Sequence, residues 1–597
     1  MRSPSRSTVY FSFAAFLVFA AFSAGLAKES SGGKGSFYQS FEQLYRVLAR
    51  LNEAYVEEIP PDQMVEAAVK GMTSILDPHT AYFDAKATED LKVHTEGEFG
   101  GLGITIGVRE KILTVISPLV GTPAYRMGIQ AGDRILEIDG RSTRGMIVDT
   151  AVNHLRGKPG TNVTIKVWRE GFTEPLPFKF TREVIKIESV PYYGMLPGQV
   201  GFIKLVQFSR TTGDDMDKAV AELKKQGMKS LILDLRYNPG GLLTEAVAVS
   251  ELFLPKGKVV VSTKGRITGQ NSELLSERAP LVDPNLPLVV LVNGGSASAS
   301  EIVAGAIQDW DRGVIMGTQS YGKGSVQTIN QMDATHILKL TTAFYYTPSG
   351  RCINKKENSI RFKNVDSAKV DTAKKDPEFD EELGVEIGEK ADTSFDTTGH
   401  KSFKTLLLGR KVWDAGGILP DIRVAGRAIN PYQQELERKT VFFRWAIKAR
   451  PLFEKKGKID TSIKVTDALI EDFRKFLTTD SVKFRFESPA VRMLKELRKT
   501  LDRDQKTADS LPADLRKGLA LRVDDLDSAL SRIGDHEFDR NREYIREGLA
   551  RELLMAAGGT KAGTSYQLKF DPQVKAALEL LQNPARYKSV LSVPAKK

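Results

Sequence analysis

Between residues 200 and 348 short aliphatic and β-branched runs alternate with helix-length segments, and this alternation limits the fold more than anything else in the chain. Residues 200–208, 230–236 and 286–293 read as strands, while 214–226 (closed by Gly227), 242–254 and 297–310 read as helices. Further strands fall near 314–317, 326–332 and 336–346. Strand and helix alternating at these lengths predict an α/β domain with a largely parallel sheet. A chain of 597 residues exceeds what one core can bury, so about three to five domains are expected.

The flanks differ. Arg2 and Arg6 precede an apolar run over 9–24 that ends in Gly25-Leu26-Ala27 before Lys28. A positive flank, a short apolar core and small exit residues read as a secretory signal peptide, 1–27, cleaved after Ala27. The alternative is an uncleaved anchor, although the run is shorter than the ~20 residues a spanning helix needs. The expected workplace is the periplasm or the extracytoplasmic side of a membrane. Residues 28–36 have a linker's composition, and two helical patterns complete an N-terminal helical domain, 28–88. Residues 353–412 read as a polar surface insertion, 413–429 return to the core, and 430–597 are patterned as helices.

Charge and cysteine narrow the function classes. Net charge is +11, but Lys and Arg are interspersed with Asp and Glu, so nucleic-acid recognition is not indicated. The one cysteine, Cys352, excludes an intramolecular disulfide and a thiolate metal cluster. No metal or cofactor is expected.

Within 89–183 the pattern becomes short strands punctuated by glycine. Gly100-Gly101-Leu102-Gly103-Ile104 turns into alternating apolar residues, and Ala131-Gly132-Asp133 leads into a strand ending at Asp139-Gly140. A short helix over 147–155 and a strand over 162–168 follow. The order resembles a PDZ domain. That resemblance implies that backbone N–H groups of Leu102, Gly103 and Ile104 cradle a peptide's terminal carboxylate, with Val148 and Val152 facing its last, apolar side chain. A β-barrel using these glycines only for turns is the other reading.

Two segments of the 184–352 region carry candidate chemistry. Asn293-Gly294-Gly295-Ser296-Ala297-Ser298-Ala299-Ser300-Glu301 is a glycine turn opening a helix, where unpaired N–H groups and the helix dipole favour negative charge near Ser298. Tyr321-Gly322-Lys323-Gly324-Ser325 sets a lysine between glycines, whose lack of side chains lets backbone crowd the amine. Taken singly, each is also an ordinary helix start or an exposed loop.

Together with Asp234-Leu235-Arg236-Tyr237-Asn238-Pro239-Gly240-Gly241, Tyr346-Thr347-Pro348-Ser349-Gly350 and Gly416-Gly417-Ile418-Leu419-Pro420-Asp421, these segments match in order the motifs of the C-terminal processing (tail-specific) protease family, which the chain resembles over residues 37–424. Tyr321 departs from the phenylalanine commoner there. The resemblance implies a multidomain α/β protein: a crotonase-like protease core with an inserted PDZ β-barrel domain and helical N- and C-terminal regions. It places the nucleophile on Ser298, the general base on Lys323 and a lysine-orienting glutamine on Gln327. The oxyanion hole falls on the N–H groups of Gly241 and Ala299, with Gly240 shaping the loop. Substrates would be proteins with apolar, unstructured C-termini; an envelope adaptor protein and a homo-oligomer stay open as further partners.

The chemistry suits the residue types. An ordinary lysine titrates near ~10.4 and a lysine base needs about 7–8, a shift of roughly 4 kcal/mol that burial without a carboxylate partner supplies. If 323–327 run extended, Lys323 and Gln327 share a face and the amide oxygen can hold the amine. None of the six histidines sits in a triad motif, and G-x-S-x-G and H-E-x-x-H are absent. His79, in the turn Leu76-Asp77-Pro78-His79-Thr80, reads as structural. A non-catalytic peptide-binding scaffold, or an acyl-thioester enzyme on the same core, remains as an alternative class.

Overall fold

Leu288–Val292 (LVVLV) is buried at all five positions, and its side chains show how the core is layered. Leu288, Val290 and Val292 join one apolar cluster, and Val289 and Leu291 join another on the opposite face. A strand that is apolar throughout belongs in a sheet covered on both sides. Each such valine or leucine withdrawn from water contributes about 1.5–3 kcal/mol.

The computed structural model describes residues 37–592, apart from 110, 356–378, 381–384, 387–398, 456–457, 460–463, 480–481, 485, 487–488, 505–511 and 532. The signal-peptide and linker expectations lie outside the described residues, as does most of the polar insertion. Among the described residues no helix is long and apolar enough to cross a membrane.

The chain divides after Ile75. Among the described residues the first unit holds two helices, Phe37–Ala54 and Pro61–Ser74. In the second, six strands form one sheet in the order Tyr192–Leu196, Val200–Lys204, Ser230–Asp234, Leu288–Val292, Val314–Gly317 and Ile422–Arg423. The first pair is antiparallel and the rest are parallel. Helices Thr212–Lys225, Leu243–Glu251 and Ala299–Asp309 bury their apolar residues in the cluster on one face. The other face is covered by Pro572–Leu581 and Pro584–Val590, through Val574, Ala577, Leu580 and Tyr587. The sequence reading grouped these last two helices with one helical region, 430–597. The structure divides that region, because a doubly apolar sheet needs a second cover and the chain's end supplies it. Helices Pro431–Arg438, Val441–Phe453, Asp467–Thr478 and Arg542–Gln567 pack around a separate core that includes Trp445, Phe442 and Phe473.

A second, antiparallel sheet has Ile337–Tyr346 at its centre, flanked by Ser325–Gln331 on one side and by Ala81–Phe83 and Val259–Gly265 on the other. Ala81–Phe83 falls within the stretch read as an N-terminal helical domain, 28–88. Three residues are too few to show a strand's period, and the pairing is with a segment some 250 residues away.

Between Ala81–Phe83 and Tyr192–Leu196 the chain forms a third, antiparallel sheet, Ile104–Arg109, Ile112–Pro118, Arg134–Ile138, Asn162–Trp168 and Leu176–Thr181, with Arg141–Ser142 paired beside Arg134–Ile138 and the helix Val148–Leu155 packed on it. Ile104–Arg109 lies at its edge.

Candidate active site

Three neighbouring parallel strands end at one edge of the sheet, and the loop after each delivers a part of the site. Ser230–Asp234 leads to Asn238–Gly241, Leu288–Val292 to Ser298, and Val314–Gly317 to Lys323. Carboxyl ends of parallel strands are where open α/β sheets gather ligands.

Ser298 caps the helix Ala299–Asp309, is 5% exposed and holds φ 54°, ψ −112°, a conformation L-residues seldom take. The Gly240 loop packs directly on it: a Cβ at Gly240 would fall 2.8 Å from both the Ala297 carbonyl oxygen and the Ser298 Cβ. Asn238 fastens the two loops together. Its Oδ1 accepts the Gly240 N–H at 2.9 Å, while its carbonyl accepts the Ala297 N–H at 3.0 Å and the Ser300 hydroxyl at 2.9 Å. The Gly240 N–H is thus occupied, whereas the N–H groups of Gly241 and Ala299 donate to no described residue.

Glu301, one turn into the helix, is the hub that sequence reasoning missed. Its Oε2 accepts the Ser298 and Lys323 N–H groups, both at 2.9 Å. Its Oε1 accepts the Gly322 N–H at 2.7 Å and the Ser320 hydroxyl at 2.5 Å. The backbones of Ser298 and Lys323 therefore meet at a single oxygen. Burial pushes the Glu301 carboxyl up from its ordinary value, against four donors that favour the anion. The only hint in the sequence is its place three residues after a helix-capping serine.

Lys323 is crowded by backbone on both sides. A Cβ at Gly322 would lie 2.4 Å from the Gly416 carbonyl oxygen, and one at Gly324 would lie 2.5 Å from the Asn354 nitrogen. The Lys323 amine makes no hydrogen bond or ion pair with any described residue. Burial pushes its pKa down, the Lys339 charge adds to this, and Glu301 and Asp77 oppose it. Tyr345, also missed, sets its hydroxyl 3.5 Å from the Ser298 Oγ and is kept protonated by burial, which raises its pKa.

Gln327 does not follow the expectation of one extended run. The strand begins at Ser325, which leaves Lys323 outside it, and the ladder shifts register after Val326, where Thr342 of the facing strand is the extra residue. Its Nε2 donates to the Ser325 Oγ at 2.8 Å and the Thr341 Oγ1 at 3.4 Å, and no hydrogen bond joins Gln327 to Lys323.

The remaining predicted residues lie at the third sheet: Leu102 and Gly103 in the loop before its edge strand, Ile104 in that strand, and Val148 and Val152 on the helix packed on it. Leu102 and Gly103 are buried, and Leu102 packs in the small core, so only its backbone can meet a ligand. Neither the Leu102 nor the Gly103 N–H donates to a described residue. Ile104 opens the edge strand. Ala151 and Leu155 turn into the core while Val148 and Val152, a turn apart, stay half-buried outside it.

Comparison with known proteins agrees with this arrangement. The model of "Peptidase family S41" matches residues 199–361, that of the PDZ domain residues 90–168, and that of "Probable PDZ-protease, C-terminal helical domain" residues 432–581. The carboxy-terminal-processing protease of Bartonella bacilliformis is 44% identical over 322 residues, 53% of this chain and 73% of its own length. The carboxy-terminal processing protease CtpA of Bacillus subtilis is 34% identical over 317 residues, 53% of this chain and 67% of its own. The fold and these relatives define a serine peptidase carrying a PDZ domain. The chain belongs to the carboxy-terminal processing proteases of peptidase family S41.

Proposed function

We propose that the chain is an endopeptidase in which neutral Lys323 takes the proton of Ser298, and in which the PDZ domain captures the substrate by its C-terminal tail. The observation that carries this is the Lys323 amine, partly buried and unpaired among the described residues, on a backbone pinned to the same Glu301 oxygen as Ser298.

The steps follow from the residues. Ser298 Oγ bonds to the scissile carbonyl carbon as its proton passes to the Lys323 amine. The oxyanion is met by the N–H groups of Gly241 and Ala299, which are unpaired among the described residues and would each contribute on the order of 3 kcal/mol. Collapse breaks the C–N bond, Lys323 returns the proton to the leaving amine, and an acyl-enzyme remains on Ser298. Lys323 then takes a proton from water as the water oxygen bonds to the acyl carbon; the bond from that carbon to Ser298 Oγ breaks, and Lys323 returns the proton to Oγ as the acid leaves. Gln327 orients the lysine through its amide oxygen.

Tail recognition rests on three features at the third sheet: N–H groups at Leu102 and Gly103 that are unpaired among the described residues, an edge strand at Ile104–Arg109, and the half-buried pair Val148 and Val152. The test uses two unfolded proteins that differ only at the C-terminus, one ending in apolar residues with a free carboxylate and one amidated. Wild type should cut the first at least about tenfold faster, equivalent to about 1.4 kcal/mol of recognition, and Ser298→Ala should cut neither. Equal rates on both would remove tail recognition; cleavage by Ser298→Ala would remove the nucleophile.

A further inference from the structure

An extra residue in the facing strand, Thr342, gives Gln327 a new cross-strand neighbour. Ser325 pairs with Phe344 and Val326 with Ala343, so an unbroken ladder would set Gln327 opposite Thr342. The extra residue sets it opposite Thr341 instead.

Thr341 is held from its other side by the turn before Ala81–Phe83. Its N–H donates to the Thr80 Oγ1 at 3.1 Å, and its Oγ1 donates to the Asp77 Oδ1 at 3.1 Å. Asp77 is itself fixed, accepting the N–H groups of His79 at 2.8 Å and Thr80 at 2.9 Å and the Thr80 hydroxyl at 2.6 Å. Burial alone would raise its pKa, but the hydrogen bonds from Thr80, His79 and Thr341 outweigh burial and keep it below the usual carboxylate value.

Hydrogen-bond direction does the rest. An ionised carboxylate only accepts, so the single hydroxyl proton of Thr341 goes to Asp77. Toward Gln327 the Thr341 oxygen has only lone pairs to offer, so it must take the amide's NH2 end, as it does at 3.4 Å. With the Ser325 hydroxyl taking the same nitrogen at 2.8 Å, the amide oxygen is turned to the far side, the end an amine can donate to. We propose that Asp77, acting through Thr341, is a positioning residue that fixes which end of the Gln327 amide serves the catalytic lysine. The inference rests on the proposed roles of Lys323 and Gln327. It gives the Leu76–Thr80 turn a task beyond ending a helix.

The experiment is a double-mutant cycle in the full chain. Thr341→Val should lower kcat roughly 10- to 100-fold with KM little changed, and Thr341→Ser should restore most of it. In a Gln327→Ala background Thr341→Val should cost nothing more, because the residue it acts through is gone. Charged groups acting on Lys323 are Lys339, Glu301 and Asp77, with the ring of His79 beside them. The Asp77 charge favours protonated Lys323, so Asp77→Asn should move the acid limb of the pH–rate profile to lower pH. Losses that multiply in the double variant, or wild-type kcat in Thr341→Val, overturn the proposal alone. Wild-type kcat in Gln327→Ala overturns the role of Gln327 beneath it, and wild-type kcat in Lys323→Ala the Ser298–Lys323 reading itself.

Discussion

Replacing Lys323 with methionine is expected to lower kcat by roughly 10⁴-fold or more while leaving the catalytic domain as stable as before, or slightly more so. The two halves have one cause. The amine is taken partly out of water with neither a hydrogen bond nor an ion pair from the described residues to compensate. Folding therefore works against its charge, and a methionine of similar length fills the space without that cost. A lysine kept for packing would show the reverse, with activity retained and stability lost. Lys323→Arg separates charge from basicity: the guanidinium keeps the positive charge, cannot give up its proton at working pH, and should be as inactive as the methionine variant. Melting curves and single-turnover rates on the three proteins decide the matter.

Glu301→Ala is expected to damage both activity and stability. Removing the carboxylate strands four donors, three of them backbone N–H groups in the site. A buried donor left without a partner costs about 1–3 kcal/mol, so a loss of about 4 kcal/mol is expected even when water replaces part of the acceptor. Ser298 and Lys323 also lose their common anchor, and a shift of about 1 Å between them costs roughly 10²-fold in kcat. Glu301→Gln is no conservative change here, since its NH2 group would face the Ser298 and Lys323 N–H groups in one orientation and the Gly322 N–H beside the Ser320 hydroxyl in the other. Urea unfolding together with kcat measures both effects. Wild-type values of both in Glu301→Ala would show that the hub does not hold the site.

How much was legible depended on whether a signal was local. The parallel strands declared themselves because Leu288–Val292 and its neighbours are apolar on both faces, and the helix after Ser298 because glycine and small residues precede an apolar run. Lys323 was legible for a related reason: glycines on both sides mark backbone crowding, which the approaches of Gly416 and Asn354 account for. Glu301 was hidden by its type, since a glutamate in a helix's first turn ordinarily faces water and helps the dipole. The register shift opposite Gln327 leaves no trace in composition, because the extra residue, Thr342, lies in the facing strand. Ala81–Phe83 and the sheet-covering helices Pro572–Leu581 and Pro584–Val590 pair with partners hundreds of residues away. Their ends can be read from Pro572 and Pro584, but not what they lie against.

The most direct test of the Ser298–Lys323 pair is the pH dependence of kcat/KM for cleavage of an unfolded substrate. Burial and the Lys339 charge lower the Lys323 pKa, and only the neutral amine accepts a proton, so activity must rise with pH through that lowered value. The expected result is a single ascending limb with its midpoint below the ~10.4 of an ordinary lysine, absent in Lys323→Met. A midpoint at the ordinary lysine value, or the same limb surviving in Lys323→Met, would contradict it.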